Sequence, residues 1–233
     1  MKKILFLQNG TEKYPNSRVD LRFEAASFSV DYYWAYQHEF PDQVENYAGA
    51  FISGSPHGAY EDLPWIHEEH RLIQKIAERR IPILGICFGS QILGSALCGR
   101  DQVFRRKTCE VGYKWVDLYH PQDGDPLLKD LGRQVYMFIW HNDEVRHDHR
   151  DMRILGSTDL CPNQIWRFRD LPIWGIQGHP ELTLAQAKML FEEKREQFEQ
   201  DGADLAKLLT EADEAIEAKK LINNFMAFCA RDA

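Results

Sequence analysis

The sequence predicts an open α/β fold. A mainly parallel central sheet carries helices on both faces, with antiparallel additions and a C-terminal helical extension. Three observations predict it. Over residues 3–97, short apolar runs closed by Gly, Asn or Pro alternate with helical stretches. Over residues 103–174 the chain changes to closely spaced β-rich runs separated by turn residues. Over residues 183–228 the pattern is helical.

Lys3 to Leu7 is an apolar run stopped by Asn9-Gly10, which reads as a buried strand. Val19 to Phe28 fits a short helix, and the aromatic-rich run Asp31 to Tyr36 suits a strand. Ala50 to Ser53 is a further strand, closed by Gly54-Ser55-Pro56. Trp65 to Arg80 is amphipathic, with Ile66, Leu72, Ile73 and Ile76 among charged residues and Pro64 at the first turn. Ile81 to Ile86 is an apolar strand, and Phe88 to Leu97, rich in small residues, is a buried helix. Strands follow at Val111 to Tyr119, Val135 to Trp140, Met152 to Ser157, Gln164 to Phe168 and Pro172 to Gln177. Thr183 to Gln200 and Asp204 to Phe228 read as two helices split at Asp201-Gly202. Residues 1–190 are expected to form one domain, with 191–233 as its helical extension.

The 233 residues suit a single core, since a chain of this size buries roughly 70% of its extended surface. The net charge of −8 argues against nonspecific binding to a phosphate backbone, which needs a basic face. No apolar run approaches the roughly 20 residues of a membrane span, and the N-terminal run is too short for a signal peptide. A cytoplasmic protein is expected. Five scattered cysteines, without a C-x-x-C pair, suggest neither a disulfide framework nor a zinc ribbon.

One cysteine stands apart. In Gly85-Ile86-Cys87-Phe88-Gly89, Cys87 falls where a strand meets a helix. Flanking glycines permit a sharp turn that exposes a nucleophile, and the helix N-terminus favours thiolate. The N–H of Phe88 would then face a developing oxyanion. Taken alone, the string also fits a buried thiol in a turn. Gly178-His179-Pro180-Glu181 places a histidine at another strand end, on the carboxyl edge where open α/β sheets carry their sites. Glu181 would orient its imidazole. Pro180 and Glu181 alone could equally open the following helix. The pair of strings together favours a Cys-His-acid triad.

These strings resemble the class I glutamine amidotransferase family, the group with a Cys-His-Glu triad, over most of residues 3–190. The residues are Gly85-Ile86-Cys87-Phe88-Gly89-Ser90-Gln91, Trp140-His141-Asn142-Asp143-Glu144-Val145 and Gln177-Gly178-His179-Pro180-Glu181. Gly54-Ser55-Pro56 and Glu110-Val111-Gly112 support them. The match looks closest to stand-alone homologues of the GMP synthase amidotransferase domain. The resemblance implies Cys87 as nucleophile, His179 as base and acid, and Glu181 as orienter. It implies an oxyanion hole at Gly54 and Phe88, and substrate binding by Gln91, Val111, Gly112, His141, Asn142 and Asp143. Three residues depart from the family pattern: Gly178 where Phe is frequent, Asn142 where Gly is frequent, and Ser55 in place of a second Gly. They leave the catalytic atoms intact and bear on the substrate.

The expected function is therefore an amide hydrolase of the glutamine amidotransferase type. Cys87 would attack a γ-glutamyl amide, form a thioester and release ammonia. The alternatives are a γ-glutamyl peptidase acting on small γ-glutamyl conjugates and a non-catalytic regulatory subunit. The expected partner is glutamine or another γ-glutamyl small molecule, with no nucleic acid or membrane. A separate synthetase chain and a homo-oligomer stay open. No cofactor and no metal is expected. His67 and His70, three apart, lack the H-E-x-x-H spacing, and His147-Asp148-His149 reads as a solvated loop. Arg105-Arg106-Lys107 is a solvated basic run that could meet an anionic substrate.

Overall fold

The computed structural model describes residues 1–10, 26–119 and 124–231. Most of the helix expected at Val19 to Phe28 lies outside the described residues; Phe28 itself opens a strand. Among the described residues, nine strands form one sheet: β1 (Lys2–Gln8), β2 (Phe28–Trp34), β3 (Tyr47–Ile52), β4 (Ile83–Ile86), β5 (Val103–Leu118), β6 (Gln134–Val145), β7 (Met152–Ser157), β8 (Ile165–Phe168) and β9 (Ile173–Ile176). Their spatial order is β2-β1-β3-β4-β9-β8-β7-β5-β6. The first five in that order run parallel, and the last four join as antiparallel additions. The helices are α1 (Pro64–Glu78), α2 (Phe88–Cys98), α3 (Leu184–Glu193), α4 (Arg195–Gln200), α5 (Leu205–Glu211) and α6 (Ile216–Arg231).

Alternation along the parallel strands sends side chains to two faces, and each face is covered. Leu5, Leu7, Ala50 and Ile52 pack with Ile66, Ile73 and Ile76 of α1 and Ile92 and Leu93 of α2. Ile4, Phe6, Phe51, Leu84 and Trp174 pack with Leu221, Ile222 and Phe225 of α6. A third cluster joins Tyr113 and Phe138 of β5 and β6 to Phe191, Phe198, Leu205 and Leu208 of α3, α4 and α5. Among the described residues no helix is long and apolar enough to cross a membrane.

The expected long helices are each interrupted. The break between α3 and α4 falls at Lys194, with φ −109° and ψ 21°. The break between α5 and α6 falls where Asp213 accepts the N–H of Ala215 at 2.7 Å and Ala215 turns to φ 48°. Such an Asx turn competes with helical pairing. Gly202, at φ 86°, makes the expected split. Strand β5 begins well before Val111. Its pairing with β6 slips between Arg105 and Glu110; Arg105 and Lys107 project from that stretch while Arg106, expected as part of a solvated run, turns in to pair with Glu144, which hides its period in the sequence.

Candidate active site

Strands β4 and β9 are parallel neighbours, so their carboxyl ends place Cys87 and His179 side by side. Cys87 adopts φ 54°, ψ −108° between β4 and α2. That conformation costs a non-glycine residue about 1–3 kcal/mol. Its N–H donates to Ile176 O at 2.8 Å, and its carbonyl accepts the N–H of Gln91 at 3.1 Å. The turn is crowded. A Cβ on Gly85 would lie 2.3 Å from Gly89 O, and one on Gly89 would lie 2.2 Å from Ile52 O. Close backbone approach explains both glycines of the string.

His179 follows the end of β9, and its N–H donates to Phe138 O at 2.8 Å. Its Nδ1 lies 2.7 Å from Glu181 Oε1, which leaves the other ring nitrogen for the thiol of Cys87, with which the ring hydrogen-bonds. Burial lowers the proton affinity of the imidazole. The Glu181 carboxylate and the Cys87 thiol outweigh that effect and raise its pKa well above the ordinary histidine range. Cys87 Sγ also lies 3.8 Å from Trp140 O, as donor.

Gly54 closes the other side. A Cβ there would stand 3.8 Å from Cys87 Cβ and 3.9 Å from His179 Cε1. Its loop is tied down from beneath: Ser53 N–H donates to Leu7 O, and Asn9 N–H donates to Ser53 Oγ at 2.9 Å. Asn9 Nδ2 in turn donates to the fully buried Glu69 of α1 at 3.0 Å.

Cys87, Gly54, Gln91, Asn142, Asp143, His179 and Glu181 line one cleft of about 270 Å³. That is near the lower end of small-molecule sites, which run about 300–1,000 Å³. Gln91 Nε2 donates to Asp143 O at 3.1 Å and Gln177 Oε1 at 3.3 Å. The Asp143 carboxylate accepts from Tyr60 at 3.3 Å and Arg105 at 3.4 Å, while burial holds its pKa above the usual carboxylate value.

Of the residues expected to hold substrate, His141 also lines the cleft, whereas Val111 and Gly112 sit differently. The His141 side chain is wholly buried, donating from Nδ1 to Asp143 O at 2.9 Å and meeting Glu110 Oε2 at 3.0 Å. Its ring supports the Asp143 backbone from behind. Val111 and Gly112 are absent from the cleft lining; Val111 packs on the third cluster, and Leu208 of α5 approaches Gly112. The C-terminal helices occupy that side of the strand.

The ligand-capable atoms of Glu110, His141 and Cys161 lie within 4.8 Å of one another. Glu110 also accepts from Thr158 at 2.7 Å and Gln164 at 2.9 Å. Both carboxylate oxygens and both ring nitrogens are thus engaged, and burial pushes the Cys161 thiol far up. The group reads as a hydrogen-bonded prop. A structural zinc site takes four ligands, mostly thiolate and imidazole.

Sequence reasoning missed Gln8, Tyr60, Leu190, Gln197 and Asp201. Asp201, just after α4, accepts from Trp140 Nε1 at 2.8 Å and Asn142 Nδ2 at 3.3 Å. Only its place beside Gly202 at a helix break marked it as a turn. Gly178, one of the departures, has no room for a side chain: a Cβ would lie 2.6 Å from Met137 Sδ.

Fold and site together define a class: an open α/β protein with a cysteine on a strand-to-helix elbow, faced by a histidine that a glutamate orients. The chain belongs to the class-I glutamine amidotransferase family, whose model matches residues 16–196. That family consists in general of cysteine-based amide hydrolases. The chain is 31% identical over 205 residues to gamma-glutamyl peptidase 3 of Arabidopsis thaliana, covering 81% of this chain and 78% of the relative. It is 28% identical over 138 residues to a glutamine-hydrolyzing GMP synthase subunit of Pyrococcus abyssi, covering 59% and 68%. The fold matches the crystal structure of a glutamine amidotransferase from Thermotoga maritima with a TM-score of 0.85, at 24% identity over 99% of each chain.

Proposed function

We propose that this protein hydrolyses the amide bond of γ-glutamyl small molecules through Cys87. The observation that carries this reading is the meeting of Cys87, His179 and Glu181 at one end of the cleft, with Gly54 beside both reacting groups.

Cys87 Sγ gives its proton to His179 and attacks the amide carbon. The oxygen becomes an oxyanion, held by the N–H of Phe88 at the start of α2 and by the Gly54 loop. The intermediate collapses as the C–N bond breaks and His179 passes its proton to the leaving nitrogen. This gives a γ-glutamyl thioester and ammonia or an amine. Water then attacks the thioester and gives a proton to His179. The C–S bond breaks, glutamate forms, and the proton returns to Cys87. Glu181 holds the ring in orientation and stabilises its protonated form. Gln91 and Asp143 offer polar anchors for the amino-acid end of the substrate.

A γ-glutamyl peptidase is the second reading. It is favoured by the relative of that name, which aligns over more of this chain than the GMP synthase relative does. Delivery of ammonia to a separate synthetase chain would use the same thioester. Residues 191–233 are read as an extension of the one domain, a reading supported by Phe198, Leu208 and Phe225 in its core clusters.

The test is release of ammonia or amine from glutamine and a panel of γ-glutamyl peptides and anilides. Turnover that disappears in Cys87→Ala and in His179→Ala supports the reading. No turnover on any member, as for a regulatory protein without catalysis, defeats it.

A further inference from the structure

A general acid works only within hydrogen-bond reach, so the leaving nitrogen must lie beside His179. What surrounds that side of the cleft decides which amine can leave. Leu182, directly after Glu181, lines the cleft together with Leu190 of α3 and Gln197 of α4. These helices are packed onto the catalytic elements through aromatic rings. The Phe138 ring lies 6.0 Å from that of His179, and 5.2 and 6.2 Å from those of Phe191 and Phe198. Trp140, whose carbonyl faces the thiol, lies 4.2 Å from the Phe198 ring. Asp201 then fastens the end of α4 to β6, taking the Trp140 indole with one carboxylate oxygen and the Asn142 amide with the other.

We propose that α3 and α4 form the wall that selects the leaving amine, held in place by the Asp201 clamp. The preferred substrate is a γ-glutamyl conjugate whose amine carries an apolar substituent. This rests on the hydrolase reading above. Leu182 and Leu190 offer apolar contact to such a substituent, and Gln197 offers an amide at its edge. The amide nitrogen of free glutamine carries no substituent to contact them, so free glutamine gains nothing from the wall. Asp201 does not line the cleft and acts as a positioning residue. Asn142 supplies one arm of the clamp through its side-chain amide, which a glycine at that position would lack.

The experiment measures kcat and KM of the full chain on L-glutamine and on a γ-glutamyl anilide. In Asp201→Ala the anilide-to-glutamine ratio of kcat/KM should fall about tenfold, mainly through the anilide KM, as expected for loss of a charge-assisted hydrogen bond. Asn142→Gly removes one arm without touching the extension, and should lower the ratio about twofold or more. The double variant should be no worse than Asp201→Ala, because both act through one carboxylate. Asp201→Asn keeps an acceptor for the indole and should recover part of the ratio. A fall of equal size on both substrates, or an unchanged ratio in Asn142→Gly, overturns the inference. So does a wild type that turns over glutamine but no anilide, an outcome that leaves the hydrolase reading standing. A wild type inactive on both substrates defeats the hydrolase reading itself.

Discussion

Glu69 offers a physical test of the network beneath the Gly54 loop. It is a carboxyl in α1 with no exposure to solvent, and its Oε2 finds no hydrogen-bond partner among the described residues. Burial, offset in part by the bond from Asn9, pushes it up to about 8 from its ordinary 4.5. Between those values the folded state keeps the proton that the unfolded chain has lost. Stability therefore falls as pH rises from 4.5, and the loss levels off above about 8. At about 1.4 kcal/mol per pH unit, the loss amounts to about 4 kcal/mol by pH 8. Glutamine has the same shape and no proton to lose. Glu69→Gln should therefore gain on wild type by about 2 kcal/mol between pH 4 and pH 6, and by about 4 by pH 8. In a protein of this size that corresponds to about 10 °C in Tm. Urea unfolding of both proteins across that range reads the difference directly, because every other titrating group cancels. A gap that stays constant from pH 4 to pH 8 would refute a neutral, buried Glu69.

Glu181→Gln should lower turnover by about two orders of magnitude less than Cys87→Ala, since an orienter contributes less than a nucleophile; equal losses contradict that ranking. The same variant removes the charge that raises the His179 pKa. The reactive form pairs a thiolate with a protonated imidazole. The alkaline limb of kcat/KM should therefore move to lower pH, and a limb that stays in place counts against Glu181 as the cause. Gly89→Ala should cost about 3 kcal/mol or more, because the added Cβ would meet the Ile52 carbonyl at 2.2 Å and backbone cannot step aside. Thermal melting checks it.

The meeting of Cys87, His179 and Glu181 was legible because each lies in a local string at a strand end. Gly85 and Gly89 flank Cys87 for reasons of close approach that act within a few residues. The parallel core was legible from apolar runs such as Lys3 to Leu7 and Ile81 to Ile86. What the sequence hid depends on distant packing. Val111 and Gly112 were expected to hold substrate, but α5 brings Leu208 against that strand from nearly a hundred residues away. His141 does line the cleft, but the hold on its ring by Glu110, itself held by Thr158 and Gln164, comes from distant packing. Apolar periodicity runs through Lys194 and through Asp213 to Ala215, so the helix breaks there carry no signature in period. Asp201 is invisible as a clamp until the fold brings Trp140 and Asn142 to it.

The central claim is that Cys87 forms a γ-glutamyl thioester. Wild type and Cys87→Ala should be treated with a glutamine-analogue diazo-ketone, and the modified residue located by mass spectrometry of peptides. The account predicts one label per chain, on Cys87, with parallel loss of turnover and no label in Cys87→Ala. Equal labelling of Cys87→Ala, or labelling at Cys98, Cys109, Cys161 or Cys229 that tracks the loss of turnover, would contradict it.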